Sequence, residues 1–167
     1  MIAAVLSPGP SLLRTWKGRE NHAVTIAVNR ALKVAAADWL SAADVVLFQG
    51  ELGACRPLVG AMTSLATADF LDPTWGTVAT WEGSDALQAH QRIRPVQWSL
   101  QAALCHAADL GAMQIDVFGA DCGREGRTDC AGSDGENRGP DRWAREAEDL
   151  ACTFGFLAGR GVSVRHV

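Results

Sequence analysis

Nothing in this 167-residue chain approaches the ~18 consecutive apolar residues of a membrane-spanning helix, so an integral helical membrane protein is excluded. The apolar start, Met1 to Leu6, has no basic segment before it and is closed early by Pro8-Gly9-Pro10, so no signal peptide is expected. No cysteine pair has C-x-x-C spacing, and the total of five is odd. That pattern points to reduced thiols in a cytoplasmic protein rather than to a disulfide framework. A basic surplus is also missing. The formal net charge of −4 leaves no electrostatic footprint for non-specific nucleic-acid binding, which is disfavoured as a partner. The histidines fall in no H-E-x-x-H arrangement, and the acidic spacing of the 122–140 segment does not match an EF-hand loop.

What is present suits one domain spanning 1–167: 48% hydrophobic and 20% charged residues, enough to bury a substantial core. Ile2-Ala3-Ala4-Val5-Leu6 reads as a strand buried on both faces, and Ala23 to Val28 as a second one ending at Asn29. Ser11 is positioned to cap a short helix carrying Leu12, Leu13 and Trp16. A helix-like stretch through Asp38-Trp39-Leu40 and a third strand at Val45 to Phe48 are expected next. Between Gly50 and Arg94 the pattern predicts a helix over Leu58 to Ala68, a strand over Thr77 to Trp81, and otherwise irregular chain.

Trp98, Leu100, Ala103, Leu104, Ala107 and Leu110 recur at helical spacing, with Gly111 as the stop. A strand at Ile115 to Phe118, a closing helix over Trp143 to Gly159 and a last strand at Val162 to Val164 complete the reading. Strands alternating with helices predict a Rossmann-like three-layer α/β/α fold with a mostly parallel sheet.

In such sheets ligands bind beyond the carboxyl ends of the strands. Three motifs fall there. The loop Gly9-Pro10-Ser11 follows the first strand and opens a helix, an arrangement that favours anions. It is neither G-x-G-x-x-G nor a P-loop, and Pro8 and Pro10 bring no N–H, so it reads as a rigid shelf with Ser11 offering its hydroxyl and amide. An ordinary strand-to-helix turn would look the same. Asn29 ends the second strand with a donor and an acceptor suited to a ribose or base edge, or to a local turn. Asp121 follows the Ile115–Phe118 strand and is the candidate catalytic carboxylate, with capping of the next turn as its structural alternative. The polar segment from about 122 to 140 reads as a flexible loop or lid in which Arg124, Arg127 and Arg138 can close on phosphate. His90 is the least constrained acid–base candidate, and core packing is the default for the tryptophans.

Gly9-Pro10-Ser11-Leu12 after the first strand, and Ile26-Ala27-Val28-Asn29 at the second, resemble the nucleotide site of the small Rossmann-like sialyltransferases (glycosyltransferase family 42). They also look like that of the MptE-like hydroxymethylpterin diphosphokinases. The run Ile115 to Asp121 is similar to those proteins' glycine-and-aspartate strand, and Trp143 to Val164 occupies the place of their closing helix and strand. The resemblance implies a pyrimidine-nucleotide or nucleotide-sugar site with Gly9, Pro10, Ser11 and Asn29 as binding residues and Asp121 at the rim. It leaves a divalent metal open. Two departures bear on the chemistry: Gly139 to Trp143 holds no histidine where the sialyltransferases carry theirs, and the chain has no tyrosine to assist a leaving phosphate. The expectation is therefore a nucleotide-binding protein, with glycosyl or phosphoryl transfer as its possible chemistry. The alternative is a non-catalytic phage-associated assembly or interaction module, because compact proteins of this build also resemble phage and prophage products. A metal hydrolase using Cys122 and Cys130 ranks last.

Overall fold

Strands with apolar residues on both faces need cover on both sides, and the computed structural model shows how this chain supplies it. Residues 1–19, 21–126, 128–133 and 139–167 are described. Seven strands form one sheet: β1 (Ile2–Leu6), β2 (Val24–Val28), β3 (Trp39–Ser41), β4 (Gly60–Thr63), β5 (Thr77–Thr80), β6 (Gln114–Phe118) and β7 (Ser163–His166). Their order is β5-β4-β3-β2-β1-β6-β7, and every pairing is parallel. The helices are α1 (Leu12–Thr15), α2 (Val45–Gln49), α3 (Leu65–Ala68), α4 (Asp85–Gln91), α5 (Ser99–Asp109) and α6 (Pro140–Gly159). The fold is a Rossmann-like α/β architecture whose sheet is wholly parallel.

Alternation along the central strands decides which helices cover which face. Ala3, Val5, Ile26, Ile115 and Val117 pack under α5 and α6. Ala4, Leu6, Ala27 and Phe118 point the other way, toward Leu12 of α1, the 3₁₀ turn Asn29–Lys33 and α2. Ile26 and Leu104 are fully buried, so truncating either to alanine costs about 2–5 kcal/mol. At the far end, Asp116 of β6 accepts from Arg165 Nη2 of β7 (2.7 Å) and from His22 Nε2 (3.0 Å). Burial alone would raise the Asp116 carboxyl, but hydrogen bonds from Arg165, Gln114 and His22 outweigh it and hold the group below its ordinary range.

Four expectations are corrected. Val45 to Phe48 is helix α2, not a strand: Asp44 caps it, accepting from the Val46 amide at 2.9 Å, and Val46 is solvent-exposed. Trp39-Leu40 is strand β3 rather than helix, anchored where Asp38 accepts from the Thr25 amide (2.8 Å). The expected Leu58–Ala68 helix is β4 followed by α3. Gly60 lies so close to β5 that a Cβ would overlap the Thr77 backbone, a close approach that only glycine allows. Helix α4 falls within the segment expected to be irregular; Ser84 caps it by accepting from the Leu87 amide at 3.1 Å. No helix among the described residues is long and apolar enough to cross a membrane.

Candidate functional site

From β1 the chain steps outward through β2, β3, β4 and β5, then returns through α4 and α5 to place β6 beside β1. The order therefore reverses between β1 and β6, and at such a switch point the strand ends leave a crevice. A cleft of about 580 Å³ lies at this end of the sheet. The loops after β1, β2, β3 and β6 line it on one side; Trp98 and Ser99 at the start of α5, and Arg142 and Trp143 at the start of α6, line the other.

The β1 loop is zipped to the β6 loop. The Ser7 amide donates to the Phe118 carbonyl (2.8 Å) and the Gly9 amide to the Gly119 carbonyl (2.9 Å). Asp121 Oδ2 accepts from the Ser11 amide at 2.9 Å, and its Oδ1 accepts from the Ser11 hydroxyl. Leu12 closes the turn by donating to the Gly9 carbonyl at 3.1 Å. Because Pro8 and Pro10 carry no N–H, every amide from residue 7 to residue 12 is accounted for. Gly9 is required by close approach: a Cβ there would overlap the Gly119 carbonyl and the Asp121 carboxylate. Gly9, Pro10, Asn29 and Asp121 all border the cleft. Ser11 is buried behind the loop with both its donors on Asp121, and it does not cap α1 with its side chain.

Among the described residues two that are not glycine have left-handed backbone, Asn29 (φ 49°) and Cys122 (φ 46°), and both line the cleft. Such conformations concentrate at functional sites, where the surrounding structure holds them. The Asn29 side chain makes no hydrogen bond among the described residues, so its amide is available. Burial pushes the Cys122 thiol up to about 11, and the buried Cys130 thiol likewise, so both are protonated near neutrality. Both are free thiols, and among the described residues no group of three or more His, Cys, Asp or Glu is arranged to hold a metal.

Of the expected lid arginines, Arg124 is exposed, while Arg127 and Arg138 lie outside the described residues. Within that segment Asp129 organises a turn by accepting from the amides of Ala131 and Ser133 (2.9 Å each), and the Cys130 amide donates to the Pro8 carbonyl at 2.7 Å.

Sequence reasoning missed the opposite wall. Trp98 was expected inside a core-facing helical stripe, yet it is the residue preceding α5, with its indole N–H donating to buried Asp149 Oδ2 at 2.7 Å. Gln101 Oε1 accepts from the Gln97 amide (3.0 Å) and the Trp98 amide (3.2 Å), which fixes the approach to α5. Asp149 also holds Arg94, clamping the same connection from its other end. The Arg142 guanidinium lies 5.0 Å from the Trp98 ring centroid, and its Nε is buried with no acceptor among the described residues. A buried donor left unpaired costs about 1–3 kcal/mol. The visible signal was Pro140, a helix-opening residue, two positions before Arg142. His90 is not available for acid–base work: it is fully buried, with Nδ1 on the Arg94 carbonyl (3.1 Å) and Nε2 on the Thr153 hydroxyl (3.0 Å).

The fold and the cleft define a doubly wound α/β protein with an open switch-point site. Comparison with protein-family models, with curated proteins and with solved structures finds no match.

Proposed function

We propose that this chain binds a nucleotide or nucleotide-sugar in the switch-point cleft. The observation that carries this reading is the convergence of four strand-end loops and the starts of α5 and α6 on one cavity of about 580 Å³. That size falls within the range of small-molecule sites. Trp98 and Trp143 offer ring surface to a base, and the free amide of Asn29 suits a ribose or base edge. The first-turn amides of α5 have no acceptor within the helix and lie on the same wall.

Glycosyl or phosphoryl transfer would ask a carboxylate to activate an acceptor hydroxyl. Asp121 borders the cleft, but Ser11 engages both of its oxygens, which favours a second reading in which the chain binds without turnover, as an interaction module would.

Calorimetry and thermal shift with CMP, UMP, CDP and ATP test the proposal. A ligand at 100 times its Kd should stabilise the fold by about 2.7 kcal/mol. If none of the four raises the melting temperature at about millimolar concentration, the nucleotide reading fails. Asp121→Asn should abolish turnover and spare binding if transfer occurs; a parent that binds but never turns over supports the second reading.

A further inference from the structure

We infer that the ligand's phosphate is held on the α5–α6 wall by Arg142, that the β1 loop does not hold it, and that the site takes one phosphate in preference to a chain of them. This rests on the nucleotide reading above.

Phosphate is held by N–H and O–H donors and by cations, and of these the β1 loop keeps only the Ser7 hydroxyl at the cleft, with no amide and no cation to give. Pro8 and Pro10 have no N–H, the Gly9 amide is on the Gly119 carbonyl, the Ser11 amide and hydroxyl are on Asp121, and the Leu12 amide is on the Gly9 carbonyl. Cations come next. Among the described residues bordering the cleft only Arg30 and Arg142 are basic. Arg30 Nη2 donates to Glu51 at 2.9 Å, and its Nη1 lies 3.8 Å from Asp129. Arg142 has no carboxylate partner among the described residues. It lies over the Trp98 ring with its Nε buried and without an acceptor. A planar guanidinium fixed on an aromatic face is pre-organised to donate to phosphate oxygens. The first-turn amides of Ser99 and Leu100 on the same wall add donors of the right sign.

Charge sets the size of the anion. Asp44, Asp121, Asp129 and Glu146 border the cleft, four carboxylates against the two guanidiniums of Arg30 and Arg142. Carboxylates repel added phosphate charge and accept hydrogen bonds from sugar hydroxyls. The arrangement therefore selects a nucleoside monophosphate or a phosphodiester over a di- or triphosphate. Each added charge should weaken binding on the order of threefold.

The test titrates cytidine, CMP and CTP, and the adenosine series, into the parent, Arg142→Met, Arg142→Lys and Ser11→Ala, with circular dichroism confirming that each variant is folded. Inorganic phosphate is titrated in parallel while the Trp98 indole resonance, assigned through Trp98→Phe, is followed by NMR. Arg142→Met should weaken monophosphate binding on the order of tenfold or more and leave the nucleoside unchanged, the size expected for a charged hydrogen bond. Arg142→Lys should fall between the two, and Ser11→Ala should not discriminate nucleoside from nucleotide. Phosphate should move the Trp98 resonance in the parent and not in Arg142→Met. The inference is overturned if the selective loss appears in Ser11→Ala instead, or if the triphosphate binds more tightly than the monophosphate. If no nucleoside or nucleotide binds while phosphate still moves Trp98 through Arg142, the nucleotide reading fails and the anion subsite stands. If phosphate leaves Trp98 unmoved as well, both fail.

Discussion

The joint between Ser11 and Asp121 can be weighed by a double-mutant cycle. These side chains connect the loops after β1 and β6 across 110 positions of sequence, and both are buried. Ser11→Ala removes a hydroxyl bond to a carboxylate and keeps the backbone bond, so it should cost about 1.5–3 kcal/mol. Asp121→Ala takes the acceptor from two buried donors at once, each worth about 1–3 kcal/mol, or about 4 kcal/mol together. Once Asp121 is gone, the Ser11 hydroxyl is a stranded donor, and deleting it should cost almost nothing. The coupling between the two changes is then about 1.5–3 kcal/mol, well beyond the scatter of independent sites. Urea unfolding reads this directly, because with a slope of about 2 kcal/mol/M each 2 kcal/mol moves the midpoint by about 1 M. Additivity within about 0.5 kcal/mol would refute the joint. A nearly unperturbed Asp121→Ala that no longer bound ligand would show Asp121 to be a ligand contact instead of a brace.

Stability should also fall in mild acid. Burial holds the His106 imidazole near 4 against 6.5 in the unfolded chain, so the unfolded state takes up a proton that the folded state refuses. The contribution is complete above about pH 6.5 and is lost as pH falls toward 4, with about 2 kcal/mol gone by pH 5. Burial lowers His90 in the same direction. Equal urea midpoints at pH 7 and pH 5 would contradict this, and His106→Leu should flatten the dependence. A third prediction concerns Asp149, which is buried and accepts from Arg94 and the Trp98 indole. Asp149→Ala should cost about 3 kcal/mol and loosen the approach to α5, weakening ligand binding with Arg142 intact. A midpoint within about 0.3 M of the parent would show the clamp to be dispensable.

Where local and tertiary signals agree, the elements are legible in the sequence. β1 is a continuous apolar run, β2 and β6 are apolar runs interrupted by one polar residue each, and α5 repeats its apolar residues at helical spacing before Gly111, whose φ is 91°. The errors fall where one apolar run serves two periods. Val45-Val46-Leu47-Phe48 has strand-forming composition, but the cap at Asp44 and the exposed Val46 belong to a helix. Gly60-Ala61-Met62-Thr63 has little strand propensity of its own; its conformation comes from pairing with β3 and β5.

The site divides along a different line. Position was legible, because a residue just past a strand in a parallel sheet must lie near the binding edge, and Gly9, Asn29 and Asp121 border the cleft for that reason. Availability was not. Ser11 and Asp121 read as two separate offers to a ligand, yet their nearest polar partners are each other, a pairing across 110 residues that no local pattern encodes. Arg142 went unnoticed for the converse reason: an arginine in the first turn of a long polar-faced helix looks like a solvated charge until Trp98 is found beneath it. A polar group becomes a candidate ligand contact only after the chain's own demands on it have been counted. In this cleft that count moves the proposed anion subsite from the first loop to the opposite wall.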